Sequence, residues 1–488
     1  MKPSSSVFIL QPLVTSQGEE QIVRGGRNLF PLLDKAFEGV KTIVGVGWGS
    51  QAPAQLQNLR DSLASIGSDI VVKVALRPNS EKVAKVVAAG FNVRDGTLGS
   101  IEELVPEADL VLLLISDGAQ TENWEKIIGL MKPGATLGLS HGFLLGHITA
   151  TGQRFRDDIN IILMAPKGMG DSVRRLYEQG ETTEGAGINS SVAVEQDVNG
   201  HAYDYAIGWA VGTGSPVTFF TTMRNEYVSD ISGERWMLLG AIWGLVEAIY
   251  ANLIEMGWMP EQAFLVSTKG LTSTVARLIS EHGLLGFYKS LTPAQQTSFA
   301  NGYETAYVPG LEVVEKIYET VASGQEIKEV VAATKALETT PMVAVETSDM
   351  WRVAAESDLY QADVPMSDDL AFAAGMFVAG IMAGINTLIK KGHCVSEAIN
   401  EQLIEMIDSL LPYMDAKGLR AMVDGCSITA RLGTRKWGPI AQKAFADALA
   451  RPIPDTGVDS AFAEFLNSPI HDDVAACFAL RPTVKLRV

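Results

Sequence analysis

The chain has 488 residues and a formal net charge of −18, and 47% of its residues are apolar. This length predicts about two to four domains, and the composition is typical of α/β enzymes rather than of disordered or fibrous proteins. The negative charge argues against partners such as nucleic acid or an anionic membrane. Three scattered cysteines argue against a disulfide framework or a zinc module and fit a reducing compartment.

The N-terminal stretch MKPSSSVFILQPL lacks both the apolar core of a secretory signal and the Arg-rich pattern of a transit segment. We therefore expect a cytoplasmic protein. The alternative is a protein of the plastid stroma whose transit peptide has been removed.

Short apolar runs alternate with helical patterns from residue 41 to about residue 223. The predicted strands are TIVGVGW, DIVVKVAL, DLVLLLIS, ATLGLSHG and INIILMAP, and this alternation indicates a doubly wound, parallel α/β sheet. Long helical patterns follow. We predict a Rossmann-like dinucleotide-binding domain over residues 1–222 and an all-helical domain over residues 223–488.

The first predicted strand ends in a glycine-rich turn that contains Gly45, Gly47 and Gly49. Such a turn lets a pyrophosphate approach the backbone, and a helix starting near Ser50 would direct its amide groups at the phosphates. An ordinary turn between strand and helix would use glycines too. The position at the start of the sheet pattern favours a nucleotide.

The end of the next strand indicates which dinucleotide is bound. An NAD enzyme is expected to place an acidic residue here for the ribose hydroxyls, but the sequence offers Arg77, Asn79, Ser80 and Lys82. Arginine and lysine suit a 2′-phosphate, so NADPH is favoured over NADH. A solvated surface turn is the alternative. Further along, the segment LISDGAQ falls where a loop would contact the nicotinamide half of the cofactor.

Two pairs of carboxylates in the helical half have helical spacing. Asp230 and Glu234 are four residues apart, as are Glu401 and Glu405, so that each pair projects from one helix face. Such pairs often mark a solvated face, but these lie among apolar residues. Oxygen ligands without Cys or His suit a hard cation such as Mg²⁺.

His141 and Lys167 each follow a predicted strand, in the segments LSHGF and MAPKGMG. Both would therefore lie at the carboxyl edge of the sheet, where doubly wound proteins bind ligands. A structural role for an isolated histidine or lysine is the alternative. Their shared edge with the proposed cofactor favours the active site.

The helical half contains an internal repeat. Residues 240–264 resemble residues 375–399 at a constant offset of 135, although two amphipathic helices could resemble each other by coincidence. The uncharged stretch 370–389 is long enough to span a membrane. Because its counterpart carries Glu247 in mid-helix, we expect both helices to be buried in the protein and no membrane to be involved.

The motifs together resemble ketol-acid reductoisomerase, also called acetohydroxy acid isomeroreductase, in its long, plant-like form with a duplicated helical domain. The matching strings are VGWGSQAPAQLQNLRDSL, LGLSHGFLLGH, PKGMG, SDISGER, INEQLIE and CSITARLGTRKW. The resemblance implies alkyl migration in 2-acetolactate or 2-aceto-2-hydroxybutyrate with two Mg²⁺. Reduction by NADPH then yields the 2,3-dihydroxy acid of valine and isoleucine synthesis. It also implies a homodimer and a knotted helical domain.

The resemblance also implies roles for particular residues. Asp230 would bridge the two ions and Glu234 would hold one of them, while Glu401 and Glu405 would serve the other side. Ser427 matches a substrate contact, as do Glu405 and Lys167, and the catalytic residues would be His141, Lys167 and Glu234. The implied cofactor contacts are Gly47, Trp48, Gly49, Ser50, Gln51, Arg77, Ser80, Lys82, Ser116, Asp117, Gln120 and Gly170.

The 2′-phosphate loop departs from the plant-like pattern, because Lys82 stands where a serine is usual and Pro78 replaces a basic residue. The loop keeps a cation, so NADPH is still favoured. Two rival functions stay open at this point. One is a single-step NADP-dependent hydroxyacid dehydrogenase, which needs no metal pair. The other is a membrane-embedded or scaffold protein built on residues 370–389.

Overall fold

A computed structural model describes residues 3–180, 187–454, 456–481 and 485–488. Within these residues the first half of the chain forms one ten-stranded sheet with the order β1-β2-β10-β9-β8-β7-β6-β3-β4-β5. The strands are β1 (Gln11–Thr15), β2 (Gly18–Arg24), β3 (Thr42–Val46), β4 (Val71–Leu76), β5 (Leu98–Ser100), β6 (Leu110–Leu113), β7 (Thr136–Leu139), β8 (Asn160–Pro166), β9 (Ser190–Gln196) and β10 (Val217–Phe220).

The five predicted strands correspond to β3, β4, β6, β7 and β8. Together with β5 they form a parallel array in which Val46 of β3 pairs with Ala75 of β4 and Leu113 of β6. The prediction of a parallel sheet is wrong beyond β8, since β9 is antiparallel to β8 and the hairpin β1–β2 is antiparallel to β10. The sheet is therefore mixed. The hairpin strands escaped prediction because they are largely polar and bury only Leu13, Ile22 and Val23.

Helices cover both faces of the sheet, which confirms the doubly wound architecture. They are α1 (Leu33–Ala36), α2 (Ala52–Ser65), α3 (Val83–Ala88), α4 (Ile101–Leu104), α5 (Asp117–Leu130), α6 (Phe143–Thr151), α7 (Gly170–Gln179) and α8 (Ala202–Thr213). Short 3₁₀ turns occupy Arg27–Leu32 and Val105–Glu107. Helices α2 and α8 pack with Leu112 on one face, and α5 and α6 pack with Val111 on the other, as the alternation of side chains along a strand requires.

The described residues after β10 contain only helices and their connections. These are α9 (Met223–Arg235), α10 (Gly240–Glu255), α11 (Pro260–Phe264), α12 (Ala276–Ser290), α13 (Pro293–Ala322), α14 (Gln325–Ala336), α15 (Asp349–Glu356), α16 (Asp368–Lys390), α17 (Val395–Ile399), α18 (Leu411–Lys417), α19 (Leu419–Asp424), α20 (Ile428–Leu449), α21 (Ala461–Leu466) and α22 (Ile470–Phe478), with a 3₁₀ turn at Leu359–Gln361. The last strand, β10, ends at Phe220, and α9 begins at Met223.

The internal repeat extends well beyond the two predicted segments. Helix α11 leads into π-helical turns at Leu265–Lys269 and Leu271–Val275, and α17 leads into π-helical turns at Asn400–Ile404 and Met406–Leu410, in each case 135 residues later. Gly283 and Gly418 interrupt the helical backbone at the same offset, with φ of +69° and +87°. The two copies thus share their irregularities as well as their helices, which coincidence does not explain.

Among the residues that the structure describes, two stretches are long and apolar enough to cross a membrane by length and composition, Met223–Glu255 and Asp368–Lys390. For each, 83% of the apolar window is buried within the protein. Helix α16 packs directly on α13. A Cβ added at Gly375 would lie 2.0 Å from the carbonyl oxygen of Phe299, and one at Gly302 would lie 2.0 Å from that of Phe372. The small residues of α16 therefore serve close contact between two helices of the same chain.

Candidate active site

A cavity of about 260 Å³ lies between the carboxyl edge of the sheet and the helical half. The loops after β3, β6, β7 and β8 form one side, and α9, the π-helical turns and the start of α20 form the other. The predicted residues that line the cavity are Gly49, Ser50, Gln51, Ser116, Asp117, Gln120, His141, Gly170, Asp230, Glu234, Glu405 and Ser427. Residues that are distant in sequence thus face one space.

Four carboxylates converge beside this cavity and form the carboxylate cluster: Asp230, Glu234, Glu401 and Glu405. Helix α9 begins where the hydroxyl of Thr222 accepts a hydrogen bond from the backbone of Asn225 at 3.0 Å, and it presents Asp230 and Glu234 on one face. Glu401 lies in a π-helical turn and Glu405 lies between two such turns. One oxygen from each of Asp230, Glu401 and Glu405 lies within 4.8 Å of the others, which is close enough for one cation to bind all three.

Burial and mutual repulsion both disfavour the ionised form of these carboxylates. Burial, reinforced by the charge of Asp230, raises the pKa of Glu234 from its usual 4.5 to about 8. Burial likewise raises the pKa values of Glu401 and Glu405 well above their usual range, and repulsion within the cluster adds to this shift. Oε2 of each of these two residues is buried without a hydrogen-bond partner. Buried oxygens of this kind fit a hard divalent cation, which would supply the missing charge.

Lys167 projects from the loop after β8 into the carboxylate cluster. It is 2% exposed, and its ammonium group forms an ion pair with Oε1 of Glu401 and lies 3.8 Å from Oδ1 of Asp230. Burial by itself would lower the pKa of Lys167, but the surrounding carboxylates, Glu401 first, raise it well above the usual value. Lys167 is therefore a cation that partly neutralises this cluster.

His141 reaches the same cluster from the end of β7. Its Nδ1 lies 3.2 Å from Oδ2 of Asp230 and 3.4 Å from Oε2 of Glu226. Burial opposes protonation, yet the charges of Glu226 and Asp230 raise the pKa of His141 well above its usual value. Nε2 is buried without a hydrogen-bond partner, so its N–H can donate a hydrogen bond to a bound ligand.

Glu226 belongs to the site and was missed by the sequence analysis. Its carboxylate is buried, accepts a hydrogen bond from the backbone N–H of Gly142 at 2.7 Å, and lies 3.6 Å from Nζ of Lys167. Burial would raise the pKa of Glu226, but His141 and Lys167 together lower it. A signal was available, since Glu226, Asp230 and Glu234 form a series with four-residue spacing along a single helix face.

The glycine-rich turn packs tightly against neighbouring loops. Gly47 has φ of +97°, and a Cβ there would lie 2.4 Å from Cγ2 of Ile115. A Cβ at Gly170 would lie 1.9 Å from the carbonyl oxygen of Ser50. Side chains are thus excluded for steric reasons alone, and the resulting bare backbone precedes α2, whose first turn carries a proline at its N-terminus.

The other predicted cofactor residues lie outside the cavity lining. Trp48 is 8% exposed and packs edge-on against Phe91, with ring centroids 5.8 Å apart, which is a core contact. Arg77, Ser80 and Lys82 follow β4 on a loop beside the glycine-rich turn. Arg77 is exposed, and the ammonium group of Lys82 lies 2.9 Å from Oε1 of Glu81. Their side chains are available at the surface next to the turn.

Ser427 is the N-cap of α20. Its hydroxyl oxygen accepts a hydrogen bond from the backbone N–H of Ala430 at 3.0 Å. Because this bond uses a lone pair, the hydroxyl proton stays free to be donated into the cavity.

A glycine-rich turn at the carboxyl edge of a doubly wound sheet, facing carboxylates from a helical half, defines the class: an oxidoreductase of the nicotinamide-dinucleotide-binding α/β type. Residues 38–218 match the family model of the acetohydroxy acid isomeroreductase, NADPH-binding domain, and residues 223–360 match that of the ketol-acid reductoisomerase, C-terminal domain. The chain belongs to the ketol-acid reductoisomerase family.

Individual relatives agree with this assignment. The chain is 46% identical over 495 residues to the chloroplastic ketol-acid reductoisomerase of Spinacia oleracea, an alignment that covers 99% of this chain and 83% of that protein. It is 45% identical over 493 residues to the chloroplastic enzyme of Pisum sativum, covering 99% and 85%. The structure of an NADH-preferring ketol-acid reductoisomerase from an uncultured archean has a similar fold, with a TM-score of 0.51 and 21% identity over 69% of this chain and 93% of that one.

Proposed function

We propose that the protein converts 2-acetolactate or 2-aceto-2-hydroxybutyrate to the 2,3-dihydroxy acid, with two Mg²⁺ and NADPH, in valine and isoleucine synthesis. The observation that carries this proposal is the single cavity lined both by the glycine-rich turn and by the carboxylate cluster. An alkyl migration followed by a reduction needs both parts in one place. A hydroxyacid dehydrogenase that only reduces would need no such cluster.

The carboxylates fit the proposed ions. Oxygen ligands are available from four residues, Asp230, Glu234, Glu401 and Glu405. Oε2 of Glu401 and Oε2 of Glu405 are buried without hydrogen-bond partners, so both could bind a cation. Bound Mg²⁺ would polarise the hydroxyl and carbonyl oxygens of the substrate and would lower the pKa of the hydroxyl group.

The other site residues control protons and orientation. Glu226 holds the backbone of Gly142 and faces both His141 and Lys167, so it fixes their positions relative to Asp230. Lys167 keeps its proton beside Glu401, where it limits the negative charge of the cluster. The free proton of Ser427 would be donated to a substrate oxygen.

The assay that tests the function measures NADPH oxidation with acetolactate, with and without Mg²⁺. We expect turnover only with Mg²⁺ and a large loss in Glu234→Gln, whereas Glu255→Gln, at an exposed position of α10, should retain activity. A second substrate, the rearranged 3-hydroxy-2-oxo acid, requires reduction alone. Turnover of this acid without turnover of acetolactate would contradict the proposal and support a single-step dehydrogenase.

NADPH is proposed over NADH because Arg77, Ser80 and Lys82 lie beside the turn and the residue directly after β4 is Arg77 rather than an acidic residue. Glu81, the acidic residue of this loop, pairs with Lys82. The family includes an NADH-preferring member, so the preference needs its own test. Arg77→Ala and Lys82→Ala should raise the KM for NADPH far more than that for NADH, and Lys85→Ala, on the exposed face of α3, should change neither. Equal effects on both cofactors would contradict this assignment.

We also propose a homodimer and a plastid location. The chloroplastic relatives from spinach and pea support the plastid over the cytoplasm. Light scattering coupled to gel filtration measures the oligomer, and a monomeric mass would contradict the dimer. Fractionation of the source cells tests the compartment.

A further inference from the structure

Arg235 is a fully buried cation beside the carboxylate cluster, and none of the steps above uses it. It is 0% exposed and lies at the end of α9, directly after Glu234. Its guanidinium group donates three hydrogen bonds in different directions. The acceptors are Oε2 of Glu234 at 2.7 Å, Oε1 of Glu326 at 2.9 Å and the carbonyl oxygen of Thr429 at 3.2 Å.

The surroundings are shaped for a guanidinium group. A Cβ at Gly433 of α20 would lie 2.4 Å from Cζ of Arg235, so this glycine leaves the room that the group occupies. Helix α14 brings in Glu326, whose other oxygen accepts a hydrogen bond from Lys436 at 2.5 Å. Burying an arginine is costly unless its charge and donors are satisfied, and here each of the three guanidinium nitrogens donates a hydrogen bond to an acceptor on one of three helices.

The guanidinium group also links two elements of the helical side of the cavity, α9 and the start of α20. It donates to Oε2 of Glu234, a proposed metal ligand, and leaves Oε1 of the same carboxylate available. Through Thr429 it holds the first turn of α20, which Ser427 caps. The hydroxyl of Thr429 in turn donates to Oδ2 of Asp117 at 2.5 Å, at the start of α5 on the cofactor side.

We propose that Arg235 is a positioning residue: its planar fork fixes Glu234 relative to the Ser427 turn, so that Glu234 offers a single oxygen to the cation beside the bound substrate. This inference rests on the proposed function. It predicts that the geometry of the fork, and not only its positive charge, determines cation affinity. Lysine keeps the charge but is a point donor without the fork.

The test is Mn²⁺ binding to Arg235→Lys, measured from the electron paramagnetic resonance signal of free Mn²⁺. We expect binding weaker by roughly tenfold or more, as is typical when an outer partner of a metal ligand is lost. The kcat should fall, while the KM for NADPH should stay within about twofold. If Arg235→Lys does not fold, Glu326→Asp serves instead, since it withdraws the anchor by one methylene at constant charge and should weaken binding in the same way.

Lys436→Gln is the control, because it removes the outer cation of the network and leaves the bonds of Arg235 in place. It should bind Mn²⁺ within about twofold of the parent. The inference is overturned if the folded Arg235→Lys protein, or Glu326→Asp in its place, binds Mn²⁺ within that margin, or if Lys436→Gln loses as much affinity. A parent protein that binds no Mn²⁺ at all would instead refute the proposed function.

Discussion

Replacing Glu234 by glutamine should stabilise the metal-free protein while it causes a large loss of activity. Burial and the neighbouring Asp230 raise the pKa of Glu234 to about 8, even though Arg235 opposes the shift. The folded protein therefore binds the carboxyl proton of Glu234 more tightly than the unfolded chain does. Glutamine has the same shape, cannot ionise and can still accept the hydrogen bond from Arg235.

The sign and size follow from proton linkage. Below the unfolded pKa of 4.5, a carboxyl group whose pKa is raised in the folded state is protonated in both states, so it does not lower the free energy of unfolding. Stability is then lost as the pH rises from 4.5 to about 8. The cost is about 2 kcal/mol near pH 6 and about 4 kcal/mol near pH 8. Glu234→Gln should gain these amounts over the parent and nothing near pH 4.

Urea unfolding of chelator-treated protein measures this difference as a shift in midpoint at an unchanged slope. Glu255→Gln is the matched control. Because Glu255 is exposed, its replacement should leave the urea midpoint unchanged both near pH 6 and near pH 8. Saturating Mg²⁺ should restore the stability of the parent and have much less effect on Glu234→Gln. Equal midpoints near pH 8, or a difference that shrinks as the pH rises from 6 to 8, would refute the reasoning.

Two further substitutions and one labelling experiment test other parts of the structure. Gly170→Ala should cost about 1–3 kcal/mol in urea unfolding and raise the KM for NADPH, because its Cβ would meet the carbonyl oxygen of Ser50; an unchanged KM would contradict the placement of the turn. Glu20→Ala should cost about 1–2 kcal/mol, since its carboxylate accepts hydrogen bonds from the backbone of Val395 and Ser396 at the start of α17; an unchanged unfolding midpoint would show that this cap is dispensable. Burial raises the pKa of Cys477 to about 12, so iodoacetamide should label it slowly at neutral pH and quickly in urea; rapid labelling of the folded protein would contradict its burial.

The sequence alone determined the features that depend on local spacing. The intervals between Asp230 and Glu234 and between Glu401 and Glu405 are helical, and the helical period places each pair on one face. The glycine-rich turn after β3 is also a local pattern, and the repeat is visible because two short segments 135 residues apart resemble each other. The resemblance to ketol-acid reductoisomerase came from such strings, and the comparisons confirm the family.

Only the tertiary structure decided which residues meet. Glu226 shares the spacing of its neighbours on α9, but its part in the site rests on Lys167 and His141, which arrive from different strands. Arg235 looks like an ordinary charged helix end until α14 and α20 enclose it. The direction of β9 depended likewise on its neighbours in the sheet. Local periodicity reports which way a side chain faces, whereas contacts between distant segments depend on packing that no short stretch encodes.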